Sequence, residues 1–73
     1  MTKLGIYLSK KSASKAMISK KTGISKSRIS ELTLNQNTQL RAKELYLIAL
    51  AIDVESSEIM NEIYKEIKLI TTY

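Results

Sequence analysis

Residues 14–32 read SKAMISKKTGISKSRISEL, and this stretch decides how the rest of the chain is organised. Gly23 stands in its middle, between two segments whose apolar residues recur at helical spacing. Ser14 is a natural N-cap, because a serine hydroxyl competes for backbone hydrogen bonds inside a helix but satisfies a free amide at its start. From Lys15 to Lys21 the inward residues are Ala16 or Met17, Ile18 and the small Ser19, while Lys15, Lys20 and Lys21 stay outside. Gly23 supplies the left-handed conformation that ends this helix. Ile24 plugs the turn, and Ser25 caps a second helix on the amides near Ser27 and Arg28. On that helix Ile29 and Leu32 lie three apart on the buried side. Lys26, Ser27, Ser30 and Glu31 point outward, with Arg28 at the flank.

Working toward the amino end, Leu4, Tyr7 and Leu8 share one face of a short helix over Lys3 to Lys11, weakened by Gly5, and Ser12 to Ser14 break it. On the other side, Thr33 to Gln39 (TLNQNTQ) reads as a polar loop in which Asn35 or Asn37 takes a left-handed turn. Arg41 to Ile52 (RAKELYLIALAI) is the strongest helix. Leu45, Ile48, Ala49 and Ile52 form its buried face, and Leu47, Leu50 and Ala51 widen it enough to make the helix central. Asp53 ends it. A last helix starts near Ser56 or Ser57, with Glu58 in its first turn, and runs to about residue 70 through Ile59, Met60, Ile63, Tyr64, Ile67 and Ile70. The 3, 4, 3 spacing of Met60, Ile63, Ile67 and Ile70 makes a seam for the core or for a partner helix.

The chain has 73 residues, enough for one domain, and a domain of this size buries only about 60% of its unfolded surface. It contains no Cys and no His, which removes disulfides, thiolate nucleophiles, the usual zinc sites and the commonest general base. No residues stand out as the lining of a substrate pocket, so the expectation is a protein that is not an enzyme, with no cofactor and no metal. No Pro, two Gly and 44% hydrophobic residues point to a mostly helical chain. No apolar run reaches the roughly 20 residues that cross a bilayer, and the start lacks a signal-peptide core. A cytoplasmic protein with no membrane partner is expected.

Charge is divided unevenly. Residues 1–30 hold Lys3, Lys10, Lys11, Lys15, Lys20, Lys21, Lys26 and Arg28 with no acidic residue, a balance of +8. Residues 31–73 balance to −3, for a net charge of +5. The basic part points at a polyanion and the acidic part at solvent or a partner protein. Four dispersed tyrosines (Tyr7, Tyr46, Tyr64 and Tyr73) do not interleave with the basic residues, which makes single-strand stacking a poor explanation.

Together these residues resemble the helix-turn-helix DNA-binding domain of the Cro and phage-repressor type (XRE-like), over about Leu4 to Tyr64. Lys15, Ala16, Ile18, Gly23, Ile24, Ser25, Ile29 and Leu32 fit the helix-turn-helix pattern. Leu45, Ile48, Ala49, Ala51, Ile52, Val54 and Ser56 fit the fourth helix and its exit. The sequence departs from the family at Ser19, where Ala is usual, and at Thr22, commonly apolar. Thr33 and Asn35 stand for a frequent Glu and Gly, Asp53 stands for a Gly, and the first connection is about one turn shorter.

The resemblance implies an all-α, five-helix, lambda-repressor-like domain spanning residues 1–73 that binds double-stranded DNA as a transcriptional regulator, a repressor by expectation. A helix about 10 to 12 Å across fits the major groove with its amino end toward the bases. By the same resemblance Lys26, Ser27 and Glu31 face bases, with Arg28 beside them. Arg28 or Lys26 would donate to guanine O6 and N7, and Glu31 would accept from cytosine N4. Ser14, Lys15, Ser25 and Ser30 would contact phosphates near the two helices. Asn37, Arg41 and Lys43, with Gln36 and Thr38, would do so on the far side. The plainer reading of Arg28 is a solvated pair with Glu31.

Ile67 and Ile70 lie beyond the usual end of such a domain, so Ile63, Ile67 and Ile70 are expected to form a homodimer contact. Two half-sites one helical turn apart would follow. The rival reading is an antitoxin-like or adaptor module whose last helix binds a partner protein, with DNA binding secondary or absent.

Overall fold

A computed structural model describes residues 1–71; Thr72 and Tyr73 lie outside the described residues. Five helices follow one another with no strand among the described residues: α1 (Lys3–Lys10), α2 (Lys15–Thr22), α3 (Lys26–Leu34), α4 (Ala42–Ala51) and α5 (Ser56–Ile63). The expected all-α, five-helix architecture is the observed one. Each helix packs on two others, in the cyclic order α1, α3, α2, α4, α5 and back to α1. The core fills the middle of this ring. Ile18, Ile29, Ile48 and Ile59, one from each of α2 to α5, are wholly buried, and Leu4, Tyr7 and Leu8 close the ring from α1. Each such isoleucine stabilises the fold by roughly 1.5–3 kcal/mol over an exposed one.

Hydroxyl caps start three of the helices. Ser14 accepts from the Met17 amide at 3.2 Å and Ser25 from the Arg28 amide at 3.1 Å, both as the sequence predicts. Thr2 does the same for Gly5 at 3.0 Å and is itself buried, because its hydroxyl also donates to the Leu32 carbonyl at 2.7 Å. The start of α5 differs from expectation: its N-cap is Glu55, with no side-chain bond, and Ser56 already belongs to the helix.

Two helices end in the left-handed conformation without glycine. After α1, Ser12 (φ 55°) donates to the Ser9 carbonyl and Ala13 to Leu8; after α4, Asp53 (φ 59°) donates to Leu50 and Val54 to Ala49. Both are the paired closing bonds of a Schellman motif, and Ala13 and Val54 pack on the core as the motif's hydrophobic contact. A non-glycine residue in this region is strained by about 1 to 2 kcal/mol, partly offset by glycine's extra freedom in the unfolded chain. Asp53→Gly is therefore expected to stabilise the fold by about 0.5 kcal/mol, measured as a higher urea midpoint at unchanged slope.

Several boundaries differ from the sequence reading. Neither Asn35 nor Asn37 is left-handed; Asn35 Oδ1 instead accepts from the Asn37 amide at 2.9 Å and shapes the turn. Thr33 is not in the loop but buried in the last turn of α3, its hydroxyl bonding back to Ile29 at 2.9 Å. Leu50, placed on the buried face of α4, is 60% exposed.

The largest difference is at the end of α5, which stops at Ile63 rather than near residue 70. Every residue from 64 to 71 is exposed, so the segment buries no apolar face, and packing rather than propensity holds most short helices. The seam over Met60, Ile63, Ile67 and Ile70 therefore does not form: Ile63 lies in the core, and Ile67 and Ile70 are exposed on a non-helical segment.

The α1–α5 contact carries a polar cluster. The Tyr7 phenol donates to Glu58, and Lys11 Nζ lies 3.2 Å from the same carboxylate. Burial, followed by the bond to Glu58 and the Glu58 and Glu62 charges, pushes the Tyr7 phenol up to about 12. The neutral phenol is thus the folded form. Its contribution is complete below the ordinary value of about 10 and is lost as pH rises from there to about 12.

Candidate nucleic-acid interface

The α2–α3 junction is built by three side chains at the turn. Gly23 takes φ 79°, the left-handed value its position demands. Ser19 Oγ donates to the Ile24 carbonyl at 2.7 Å, and Thr22 Oγ1 donates to Ile18 at 2.7 Å while accepting from the Ile24 amide at 3.1 Å. The hydroxyls of Ser19 and Thr22 thus hold the turn. Ile24 is half-buried against the core, so the turn is pinned on its inner side as well.

Beyond the Ser25 cap, α3 packs only on α1 and α2 and leaves one face open. Lys26, Ser27 and Glu31 are exposed on it and Ser30 is half-buried. Among the described residues neither Lys26 nor Glu31 forms an ion pair. Ser14 and Ser25 accept backbone amides but keep a hydroxyl proton to donate. Lys15 is half-buried at the start of α2, and Asn37, Arg41 and Lys43 are exposed. From the same loop Gln36 is already engaged, its amide donating to the Met1 carbonyl at 2.9 Å.

Arg28 is the main correction. Its guanidinium does not stand free at the reading face, nor does it pair with Glu31. Nε donates to Glu44 Oε2 at 2.7 Å, and Nη2 donates to Glu44 Oε1 at 2.9 Å and to the Gln39 carbonyl at 2.9 Å. This bidentate pair ties the first turn of α3 to the first turn of α4. Glu44 is buried, and its Oε1 also accepts the Arg41 amide at 3.0 Å, the one capping bond at the start of α4. The Arg28 bond, helped by the Arg41 amide and opposed by burial, holds the Glu44 carboxyl below the usual range. The same bond pushes the guanidinium up.

Glu44 was not singled out from the sequence. The signal was present, because a glutamate three residues after the residue preceding a helix is the acidic half of a capping box.

The cations of the first 30 residues divide accordingly. Lys3 pairs with Glu66, Lys11 with Glu58 and Arg28 with Glu44, while Lys10, Lys15, Lys20, Lys21 and Lys26 form no ion pair among the described residues. No three acidic side chains converge as a metal site among the described residues. No helix of the described chain is long and apolar enough to cross a membrane. Compared with family models, curated proteins and solved structures, the chain finds no match.

Proposed function

We propose that this protein is a sequence-specific double-stranded DNA-binding regulator, a repressor of the helix-turn-helix type, which inserts α3 into the major groove. The observation that carries this reading is the open face of α3, with Lys26, Ser27 and Glu31 exposed beyond the Ser25 cap, beside lysines that form no ion pair among the described residues. In this reading Lys26 donates to guanine, Glu31 accepts from cytosine N4 and Ser27 contacts an adjoining base edge. Ser14, Lys15, Ser25 and Ser30 bind phosphates on one side, and Asn37, Arg41 and Lys43 on the other. Arg28 leaves the base-reading set because its Nε and Nη2 are held by Glu44 and the Gln39 carbonyl. The protein acts in the cytoplasm as a homodimer through Ile67 and Ile70, without Ile63.

Selection of bound duplexes from a random pool, at a stated salt concentration, tests the reading. Lys15→Ala is expected to weaken binding to all sequences alike and to lower the salt slope by about one. Lys26→Ala should cost about 1 to 3 kcal/mol on the selected duplex and relax one base position. A chain with no salt-dependent affinity for any duplex would overturn the proposal.

A second reading rests on the exposed apolar side chains Met60, Tyr64, Ile67, Leu69 and Ile70. It is a protein-interaction module of the antitoxin or adaptor kind, with DNA binding secondary or absent. A partner retained by this surface, together with no salt-dependent DNA binding, distinguishes it.

A further inference from the structure

The helices α3 and α4 do not pack on each other: α3 rests on α1 and α2, and α4 on α2 and α5. Residues 35–41 join them with no regular structure, held by the Asn35 turn, the Thr38 amide on the Asn35 carbonyl, the Gln36 tether to Met1 and the packing of Leu40 on the core. Both helices rest on α2, which sets their coarse spacing, and side chains alone join the α3 face directly to the start of α4. What spans the gap is Arg28. Its planar fork holds both oxygens of Glu44 and the Gln39 carbonyl, and the same carboxylate holds the Arg41 amide. One guanidinium thus fixes the loop, the first turn of α4 and the first turn of α3 together. A lysine would keep the charge but lack the fork.

We propose that Arg28 and Glu44 are positioning residues for nucleic-acid recognition, setting the spacing between Lys26, Ser27 and Glu31 on α3 and Arg41 and Lys43 at α4 so that both sets engage one duplex at once. The inference rests on the proposed DNA-binding reading and adds to it the residues that make the two contact regions a single surface. Two sites bind as one only when their separation matches the target, and the gain disappears when geometry forbids simultaneous contact. Selectivity for one duplex is therefore the property that the Arg28–Glu44 pair controls.

The decisive experiment measures Glu44→Gln and Arg28→Lys by fluorescence anisotropy on the selected duplex and on a scrambled one, across a salt series. Each variant is first checked for native helix content by circular dichroism. Glu44→Gln makes the chain more positive by one charge, so general electrostatics alone would tighten binding to both duplexes. Positioning predicts the opposite on the selected duplex: a loss of about fivefold or more, with affinity for the scrambled duplex equal or higher. Arg28→Lys, with charge unchanged, is expected to lose selectivity in the same way, and in both variants the Arg41 amide should exchange with solvent faster than in the parent.

Binding to the selected duplex as tight as the parent's in a folded Glu44→Gln or Arg28→Lys protein overturns the proposal and leaves the DNA-binding reading intact. If Glu44→Gln does not fold, Arg28→Lys decides alone. A parent protein with no salt-dependent duplex binding overturns both.

Discussion

Gly5→Ala is expected to lower the unfolding free energy by about 3 kcal/mol and the thermal midpoint by roughly 10 to 20 °C. The expectation runs against helix propensity, since alanine in a helix interior normally gains about 1 kcal/mol over glycine. The sign reverses because a Cβ at position 5 would land on the Thr33 carbonyl oxygen, well inside van der Waals contact, with the Thr33 carbonyl carbon at 3.1 Å and its Cα at 3.3 Å. All three are backbone atoms, so no rotamer change relieves the overlap, and α1 has to move off α3. That movement would also break the bonds that stitch the two helices, from the Thr2 amide to Thr33 at 2.9 Å and from the Thr2 hydroxyl to Leu32 at 2.7 Å. Chemical denaturation of Gly5→Ala beside Ser9→Ala, an exposed position of the same helix, checks this. The control should change by less than about 0.5 kcal/mol. A Gly5→Ala protein as stable as the parent would mean that α1 does not approach α3 this closely.

The second large effect is at Glu44. Glu44→Ala should destabilise the fold by about 1 to 3 kcal/mol, because it leaves the Arg41 amide without its acceptor and the Arg28 guanidinium with only Gln39. Replacing both partners, as in Arg28→Met with Glu44→Leu, should recover much of the loss, since an apolar pair of similar volume has no charge to desolvate.

The pair also predicts a pH dependence. The Glu44 carboxyl is held below its ordinary value by Arg28, so the unfolded chain binds its proton more readily. The stabilisation is complete above the unfolded value of about 4.3 and is lost as pH falls through Glu44's own lower value. Urea midpoints of parent and Glu44→Gln, followed from neutral pH to about pH 3, should differ most at neutral pH and converge in acid. A constant difference across that range would show that the carboxylate's charge contributes nothing.

Local chemistry made much of this protein legible in its sequence. Ser14, Gly23 and Ser25 act within three or four residues of themselves, and the caps and the turn they predict are the ones observed. The helical period placed Leu4, Leu8, Ile18, Ile29, Leu32, Leu45 and Ile48 in the core, because burial of one face follows from spacing alone. The surface positions Lys26, Ser27 and Glu31 were readable for the same reason, as the face that spacing leaves outward.

What failed depended on partners far away in the chain. Arg28 looked like a free donor because Glu44 is sixteen residues on, and Gly5 looked like a weak helix residue because Thr33 lies on another element. The tail pattern over Met60 to Ile70 promised a helix, but α5 ends at Ile63 and the apolar residues beyond it bury no face. Sequence alone determined the number of helices, the Ser14 and Ser25 caps and most of the inward faces, since these are set by backbone bonding and periodicity within a few residues. Only the tertiary structure decided which charges remain free, where α1 must lack a side chain and where α5 stops. Those outcomes depend on which helices pass close to one another, and local propensity carries no record of that.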